Sequence, residues 1–137
     1  MKIVQLNSGL GNQMFQYAFA LSLKYHFNMP VLLDKTFYDA PGHKEHERLS
    51  LDVFPITLPY ATQEQISKAK KSRLVRKILK ICGLPTLSPF CVFDYNPKLL
   101  LQRSYSYYRG CFQNPLYFSH LSLALKNAFT PPPLPVK

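Results

Sequence analysis

Short apolar runs alternate with stretches of helical composition in the first part of the chain. The run at Lys2–Leu6 predicts a strand, and the residues from about Gln13 to Phe27 predict a helix. Asn28 is suited to end that helix, since asparagine tolerates the left-handed conformation of a helix C-terminus. A second short strand is predicted at Val31–Asp34.

The pattern is less regular in the rest of the chain. Tyr38–Tyr60 is predicted to be loop-rich because of its proline and glycine residues, and Thr62 with Gln65 forms a capping-box pattern that predicts a helix start. The further predictions are a break at 83–85, strands near Phe90–Phe93 and around Ser104–Cys111, and a last helix from about Pro115 to Phe129. Alternating strands and helices predict an α/β fold with a Rossmann-like parallel sheet in one domain, residues 1–129, followed by a proline-rich linker or tail, residues 130–137.

Composition limits the class of protein. The 137 residues are 47% hydrophobic, which is enough for a packed core and argues against disorder. No run of about 20 apolar residues predicts a membrane-spanning helix, and the N-terminus becomes polar too quickly for a signal peptide. The three cysteines are odd in number and lack Cys-x-x-Cys spacing, which is typical of reduced thiols. These features predict a cytoplasmic protein.

The net charge of +10 is concentrated in one segment. Seven of the 17 basic residues lie between Lys68 and Lys80, with no acidic residue among them. Residues 64–80 therefore predict a basic amphipathic helix, for which a solvated face is the favoured interpretation. The alternative is a peripheral position on anionic lipid at the inner face of the membrane. Nucleic-acid binding is not predicted, because no binding module and no interleaved aromatic residues accompany the charge.

A glycine turn between the first strand and the first helix is the main candidate for chemistry. Gly9 and Gly11 are expected to adopt positive φ and to let a ligand approach the backbone, while Asn12 and Gln13 are expected to place neutral carboxamides at the mouth of the turn. The N–H groups and the dipole of a helix start favour an anionic ligand. The alternative is a plain strand-to-helix connection with Asn12 as the N-cap. The turn is neither a P-loop nor a dinucleotide fingerprint, whose third glycine would fall at Met14.

Three other residues have weaker patterns. Asp34, at a strand end, is expected to hold a hydroxyl group or to cap a helix. His43 and His46 have the i,i+3 spacing of metal ligands, but a solvated loop is favoured because no third ligand is evident. No catalytic residue is assigned, and no metal site is predicted.

The longer string at 9–20, Gly-Leu-Gly-Asn-Gln-Met-Phe-Gln-Tyr-Ala-Phe-Ala, closely resembles the N-terminal signature of the family-11 glycosyltransferases, the α-1,2-fucosyltransferases. That family usually has a further glycine where this chain has Ser8. A second segment, 108–118, resembles the family's Gly-Tyr-Phe/Trp-Gln segment followed by a Tyr-Phe pair. The family's second signature, His-x-Arg-Arg-Gly-Asp, has no counterpart here, because the five arginines of the chain are all separate from one another.

The resemblance implies the N-terminal half of a GT-B type enzyme, which has two Rossmann-like halves and works without a metal or other cofactor. The implied reaction moves fucose from GDP-fucose to the 2-hydroxyl of a galactoside with inversion. The residues implied to bind substrate are Gly9, Gly11, Asn12 and Gln13, with Asn12 facing the donor. Because the donor-binding C-terminal half is absent, the chain alone is expected to be inactive. The alternative is an inactive remnant or a non-enzymatic binding module.

Overall fold

A computed structural model describes residues 1–70, 93–101, 103 and 105–133. Within them, three parallel strands form one sheet in the order β2-β1-β3. The strands are β1 (Lys2–Gln5), β2 (Val31–Asp34) and β3 (Tyr107–Tyr108), and all their residues are buried. The register pairs Gln5 with Asp34 and Ile3 with Tyr107. The predicted α/β fold with a parallel sheet is therefore confirmed.

The first strand leads directly into the longest helix, α1 (Leu10–Phe27). The helix begins three residues earlier than predicted, because the Gly9 carbonyl already accepts the N–H of Gln13 at 3.1 Å. Asn12 therefore lies in the first turn and is not the N-cap. At the other end Asn28 adopts the left-handed conformation, φ 47°, and ends the helix as predicted.

The other helices are shorter. Residues 63–70 are helical and are called α2, α3 is Lys98–Leu101, and α4 is Ser122–Ala128. The capping box that predicted the start of α2 is confirmed: the Thr62 N–H donates to Gln65 Oε1 at 2.8 Å, and the Gln65 N–H donates to Thr62 Oγ1 at 3.2 Å. The loop-rich segment contains the end of one 3-10 turn, Thr36–Asp39, and the whole of another, Leu51–Val53.

Helices cover both faces of the sheet. On one face, the larger core cluster joins Val4, Leu6 and Leu33 to the buried side of α1. On the other face, a smaller cluster consists of Ile3, Leu32, Tyr107, Ile66 and Ala69, the last two from α2. The alternation of strand residues between the two clusters follows from the two-residue period of a strand. Apolar residues occupy both faces, which is typical of a parallel sheet.

Four predicted features differ from the structure or lie outside it. The break at 83–85 and nearly all of Phe90–Phe93 fall outside the described residues. The strand around Ser104–Cys111 is limited to β3, because the chain turns away at Gly110, whose carbonyl accepts from the side chain of Gln16. The last helix is preceded by two 3-10 turns, Pro115–Tyr117 and Ser119–Leu121, and its α-helical part begins only at Ser122. Tyr117 is fully buried there, and its hydroxyl accepts the Asn96 N–H at 2.8 Å, so packing turns the chain where local sequence favours a helix.

The turn between β1 and α1 corrects the expectation about glycine. Gly9 has φ −78° and Gly11 is helical, so neither adopts positive φ. The left-handed residue is Ser8, with φ 61°. It stands where the family-11 glycosyltransferases usually have a glycine. The Ser8 carbonyl accepts hydrogen bonds from Gln13 Nε2 at 2.9 Å and from the Tyr38 hydroxyl at 2.8 Å. Burial raises the pKa of Tyr38, so its hydroxyl remains a donor to this carbonyl over the physiological pH range.

We expect Ser8→Gly to raise the free energy of unfolding by up to about 1 kcal/mol. The left-handed conformation costs an L-residue roughly 1–2 kcal/mol, and glycine avoids this cost. Part of the gain is offset because glycine loses more conformational entropy on folding. Ser8→Ala is the matched control, because it keeps the conformational cost and removes only the 3.2 Å hydroxyl contact with Asn7. Urea unfolding of the unmodified chain and both variants tests this. If the Ser8→Gly variant is no more stable than the Ser8→Ala variant, the assignment of strain to Ser8 is contradicted.

Candidate functional site

The strand order places a topological switch point between β1 and β3. The connection from β1 to β2 runs through α1 on one face of the sheet, whereas the chain from β2 to β3 includes α2 on the other face. In open α/β sheets, ligands bind at such a point, outside the carboxyl ends of the strands. Here the carboxyl end of β1 carries the Ser8–Gly11 turn, and the carboxyl end of β3 carries the segment from Arg109 to Gln113. This edge is the candidate site.

Asn12 bridges the two strand ends at the candidate site. Its Oδ1 accepts a hydrogen bond from Gln113 Nε2 at 2.6 Å, across 101 residues of sequence. Asn12 is only partly buried. Because Oδ1 is engaged, the amide group of Asn12 is the part of the side chain left to donate to a ligand.

Gln16, one turn further along α1, holds the same two strand ends together. Its side chain is fully buried; Nε2 donates to the Gly110 carbonyl at 3.1 Å and to Asn7 Oδ1 at 3.0 Å, and Oε1 accepts the Asn7 N–H at 3.0 Å. The sequence pattern did not identify Gln16 or Gln113 as site residues. Only the long-range pairing of the two segments shows their role, and no local signal in either segment predicts it.

Aromatic packing beneath the edge fixes the segment that follows β3. Phe112 is 2% exposed and stacks on Phe19 of α1, with 4.0 Å between ring centroids and 8° between ring planes. Phe112 also has φ 51°, a conformation that bulky residues rarely adopt. Strained backbone of this kind clusters at functional sites, where packing has to maintain it. Both strand ends at the switch point thus contain a left-handed residue other than glycine, Ser8 and Phe112.

Gln13 does not lie at the mouth of the turn, where it was expected. Its side chain is fully buried and makes four hydrogen bonds. Nε2 donates to the carbonyls of Ser8 at 2.9 Å and Arg48 at 2.7 Å, while Oε1 accepts the N–H groups of Ser50 at 2.9 Å and Leu51 at 3.0 Å. With both polar atoms engaged twice, the carboxamide acts as a clamp between the turn and the 48–51 segment, and any effect on a ligand is indirect.

The two glycines of the turn differ in the space that a side chain would have. A Cβ on Gly9 would lie 3.1 Å from the His46 carbonyl oxygen, so a side chain there would require the crossing loop to shift by a few tenths of an ångström. A Cβ on Gly11 would have no atom within 4 Å, and the residue is exposed in the first turn of α1. Neither the conformation nor the packing of the described residues requires glycine at position 11. The lack of a side chain at Gly11 therefore leaves its backbone open to the close approach of a ligand.

The electrostatics at this edge favour an anion. The first turn of α1 contains no acidic residue, and no side chain caps its N–H groups. Helix N–H groups in this position carry a partial positive charge. Lys35 follows β2 directly and Arg109 follows β3 directly, and both are exposed. The carboxyl ends of the neighbouring strands thus add two cations to the same side of the sheet.

The histidine pair has no geometry of a metal centre. His43 Nδ1 lies 3.8 Å from Glu47 Oε2, and the His43 ring packs on Phe37 with 4.3 Å between ring centroids. Among the residues that the structure describes, no group of three or more His, Cys, Asp or Glu side chains comes together. The favoured interpretation of these histidines as part of a loop agrees with their positions in the irregular 40–50 segment.

The basic segment is described only as far as residue 70. There Ile66 and Ala69 are 3% and 4% exposed and pack on the sheet, while Lys68 is exposed. In this part of the helix the apolar side chains are therefore not available for insertion into lipid, and attraction to a membrane would depend on charge. Within the described ranges, no helix has both the length and the apolar character needed to cross a bilayer.

We expect Gln13→Met to lower the free energy of unfolding by about 2–4 kcal/mol, because the nearly isosteric methionine leaves buried backbone donors and acceptors unpaired. Gln63→Met is the control, since Gln63 is exposed in the first turn of α2 and its replacement should change stability by less than about 0.5 kcal/mol. Chemical unfolding followed by circular dichroism measures both. Equal stabilities of the two variants would show that the clamp adds nothing.

Comparisons with protein-family models, curated proteins and solved structures give no match for this chain. The resemblance to the family-11 glycosyltransferases therefore rests on the sequence alone, chiefly on the segments at 9–20 and 108–118, with further similarity at 32–34 and 51–54.

Proposed function

We propose that the chain is the N-terminal half of a GT-B type, inverting α-1,2-fucosyltransferase, with GDP-fucose as donor and a galactoside as acceptor. The observation that carries this proposal is the contact between the two segments in which the sequence resembles that family. They meet at the switch point through Asn12 and Gln113, through Gln16 and Gly110, and through the stacked rings of Phe19 and Phe112. This contact supports the proposal because segments that build one site have to lie together, as these do at the ends of the adjacent strands β1 and β3.

The chemistry of the edge suits the leaving group of the proposed reaction. In that reaction the acceptor hydroxyl oxygen bonds to the anomeric carbon of fucose as the bond from that carbon to the diphosphate breaks. The bonding electrons leave with GDP, and the hydroxyl proton passes to a base that is not assigned to any described residue. Preorganised donors aimed at the developing negative charge stabilise such a transition state. Asn12 and the first-turn N–H groups of α1 are the donors proposed here, with Gly9, Gly11 and Gln13 maintaining the turn.

The first prediction of this proposal is that the chain alone has no transferase activity and binds GDP-fucose with millimolar affinity at best, about 4 kcal/mol. A diphosphate needs several charge-assisted contacts for tight binding, more than neutral amides and two solvent-exposed cations supply. Calorimetry with GDP and GDP-fucose and a radiolabelled transfer assay to lactose test both statements. Turnover by the chain alone would place the donor site elsewhere. Activity that appears on addition of a separately expressed donor-binding half would support the proposal, and failure of every such combination would favour an inactive remnant or a binding module.

A second prediction concerns Asn12. In the complemented enzyme, Asn12→Ala should lower kcat by about 10²- to 10³-fold with a smaller change in KM, because a donor aimed at developing charge acts mainly on the transition state. Asn127→Ala, an exposed asparagine near the end of α4, is the control and should leave both constants unchanged. An Asn12 variant with the kinetics of the unmodified protein would reduce this residue to a structural partner of Gln113.

A third prediction separates stability from binding at Gly11. Gly11→Ala should raise the free energy of unfolding by about 0.5–1 kcal/mol, because alanine is the better helix residue and its Cβ meets no other atom. The same change should weaken GDP binding several-fold if a phosphate approaches the backbone there. Paired unfolding curves and NMR titrations measure the two effects. A more stable variant with unchanged GDP affinity would remove Gly11 from the binding site.

A further inference from the structure

One aromatic ring on α1 is not explained by packing of the core. Phe15 is only partly buried, and it is not among the side chains that pack on the two core clusters of the described residues. Its ring lies beside that of Phe118, with 6.0 Å between ring centroids and 44° between ring planes. The helix is otherwise buried on all sides from residue 16 to residue 23. Phe15 thus lies where α1 emerges from the core, at its N-terminal end.

Helix geometry places the Phe15 ring at the candidate site. Side chains three and four positions apart lie on one face of a helix, and each leans toward the helix N-terminus. Phe15 therefore lies beside Gly11 and Asn12 in the first turn of α1. A Cβ on Gly11 would meet no atom within 4 Å, so the space next to that residue is open. The Phe15 ring borders this open space.

Gln113 adds a polar group at the same place. Its Nε2 donates to Asn12 Oδ1 at 2.6 Å, which fixes the Gln113 carboxamide against the first turn of α1. Within the described part of the chain, Gln113 Oε1 accepts no hydrogen bond, and it is not one of the buried polar atoms that lack a partner. This oxygen therefore reaches solvent. Together with the second hydrogen of Nε2, it can both accept from and donate to hydroxyl groups.

We propose that Phe15 and Gln113 form a subsite for a neutral pyranose ring. The C–H groups on one face of a sugar ring are slightly positive, and they pack well on the negative face of a phenyl ring. A hydroxyl group at the edge of the same sugar bonds to the Gln113 carboxamide, while Phe118 supports the Phe15 ring from the side. The phenyl face and the carboxamide oxygen both disfavour an anion, so this subsite differs in chemistry from the adjoining helix N-terminus.

The identity of the sugar rests on the proposed function. Phe15 lies about 6 Å along the helix axis from Gly11, next to which the diphosphate is proposed to bind. The fucose ring of GDP-fucose is bonded directly to the diphosphate, and the acceptor galactoside has to reach the same anomeric carbon. Guanine is separated from the diphosphate by the ribose, so it would lie further from the turn. Fucose and the galactoside are both neutral pyranoses, and titration with each one separately distinguishes them.

NMR titration of the full chain with lactose, with L-fucose and with GDP tests the subsite. Each sugar is raised to about 50 mM, so that even millimolar affinity gives a response. We expect at least one sugar to shift the side-chain amide resonances of Gln113, and saturation of the protein's aromatic protons to reach the C–H protons of that sugar. A response to lactose identifies the acceptor, and a response to L-fucose identifies the transferred sugar. Sorbitol, which has hydroxyl groups but no ring, is the control and should give neither signal.

The outcomes separate the subsite from the proposed function, because the backbone amides of Leu10–Asn12 report on the phosphate site. A GDP response at those amides, with Gln113 unmoved by both sugars, would overturn the subsite and leave the proposed function intact. A sugar response at Gln113 with no GDP response at Leu10–Asn12 would support the subsite and contradict the proposed donor site. Equal responses to sorbitol and to the sugars would also overturn the subsite.

Variants of Phe15 separate stacking from simple apolar packing. Phe15→Leu keeps an apolar side chain without the ring face and should weaken sugar binding about three- to tenfold, whereas Phe15→Tyr keeps the face and should bind as the unmodified chain does. Tyr25→Leu is the matched control, because Tyr25 is 60% exposed on the same helix and lies about 15 Å further along it. Full sugar affinity in a folded Phe15→Leu chain, or an equal loss in Tyr25→Leu, would contradict the proposal.

Gln113→Met tests the polar part of the subsite and does not depend on the stability of the Phe15 variants. Loss of the hydroxyl contact should weaken sugar binding about three- to tenfold. Urea unfolding of each variant shows whether it is folded. A folded Gln113→Met chain that binds lactose and L-fucose as the unmodified chain does would remove Gln113 from the subsite and overturn the proposal.

Discussion

The carboxyl edge of this sheet depends on hydrogen bonds from neutral carboxamides on the first two turns of α1. Gln13 ties the β1–α1 turn to the 48–51 segment, Gln16 ties the end of β1 to the end of β3, and Asn12 extends the second contact to the surface. A carboxamide offers a donor and an acceptor together without the desolvation penalty of a charge. This chemistry lets a buried side chain satisfy backbone groups from two loops at once. Charged residues in these positions would need counter-ions inside the edge.

The positive charge at this edge therefore comes from backbone N–H groups and from cations at the ends of the neighbouring strands. The first turn of α1 retains its uncapped N–H groups, and two exposed cations, Lys35 and Arg109, follow the neighbouring strands. The buried carboxylate of Asp34 is directed to the opposite face, where Tyr107 and Lys70 stabilise it. The two kinds of polar group are thus separated across the sheet.

Local sequence signals predicted most of the elements in the first half of the chain. The strands, the stop at Asn28 and the capping box at Thr62 depend on residues within a few positions of one another, and all of them are present in the structure. Predictions were less accurate after residue 93, where burial of Tyr117 and Phe112 decides the path of the chain. Helical composition between Pro115 and Phe129 could not reveal that tertiary packing replaces the first turns with 3-10 geometry.

The sequence by itself determined the α/β class, the place of the glycine turn after the first strand, and the identity of the residues available there, because each of these depends on short-range pattern. Only the tertiary structure decided what those residues do. In the folded chain Ser8, and neither Gly9 nor Gly11, has positive φ, and the Gln13 side chain is buried between two loops. Gln113 contacts Asn12, although 101 positions separate them. The physical reason is that a side chain's hydrogen-bond partners are set by which segments the parallel sheet brings together, and that pairing is not encoded within any one segment.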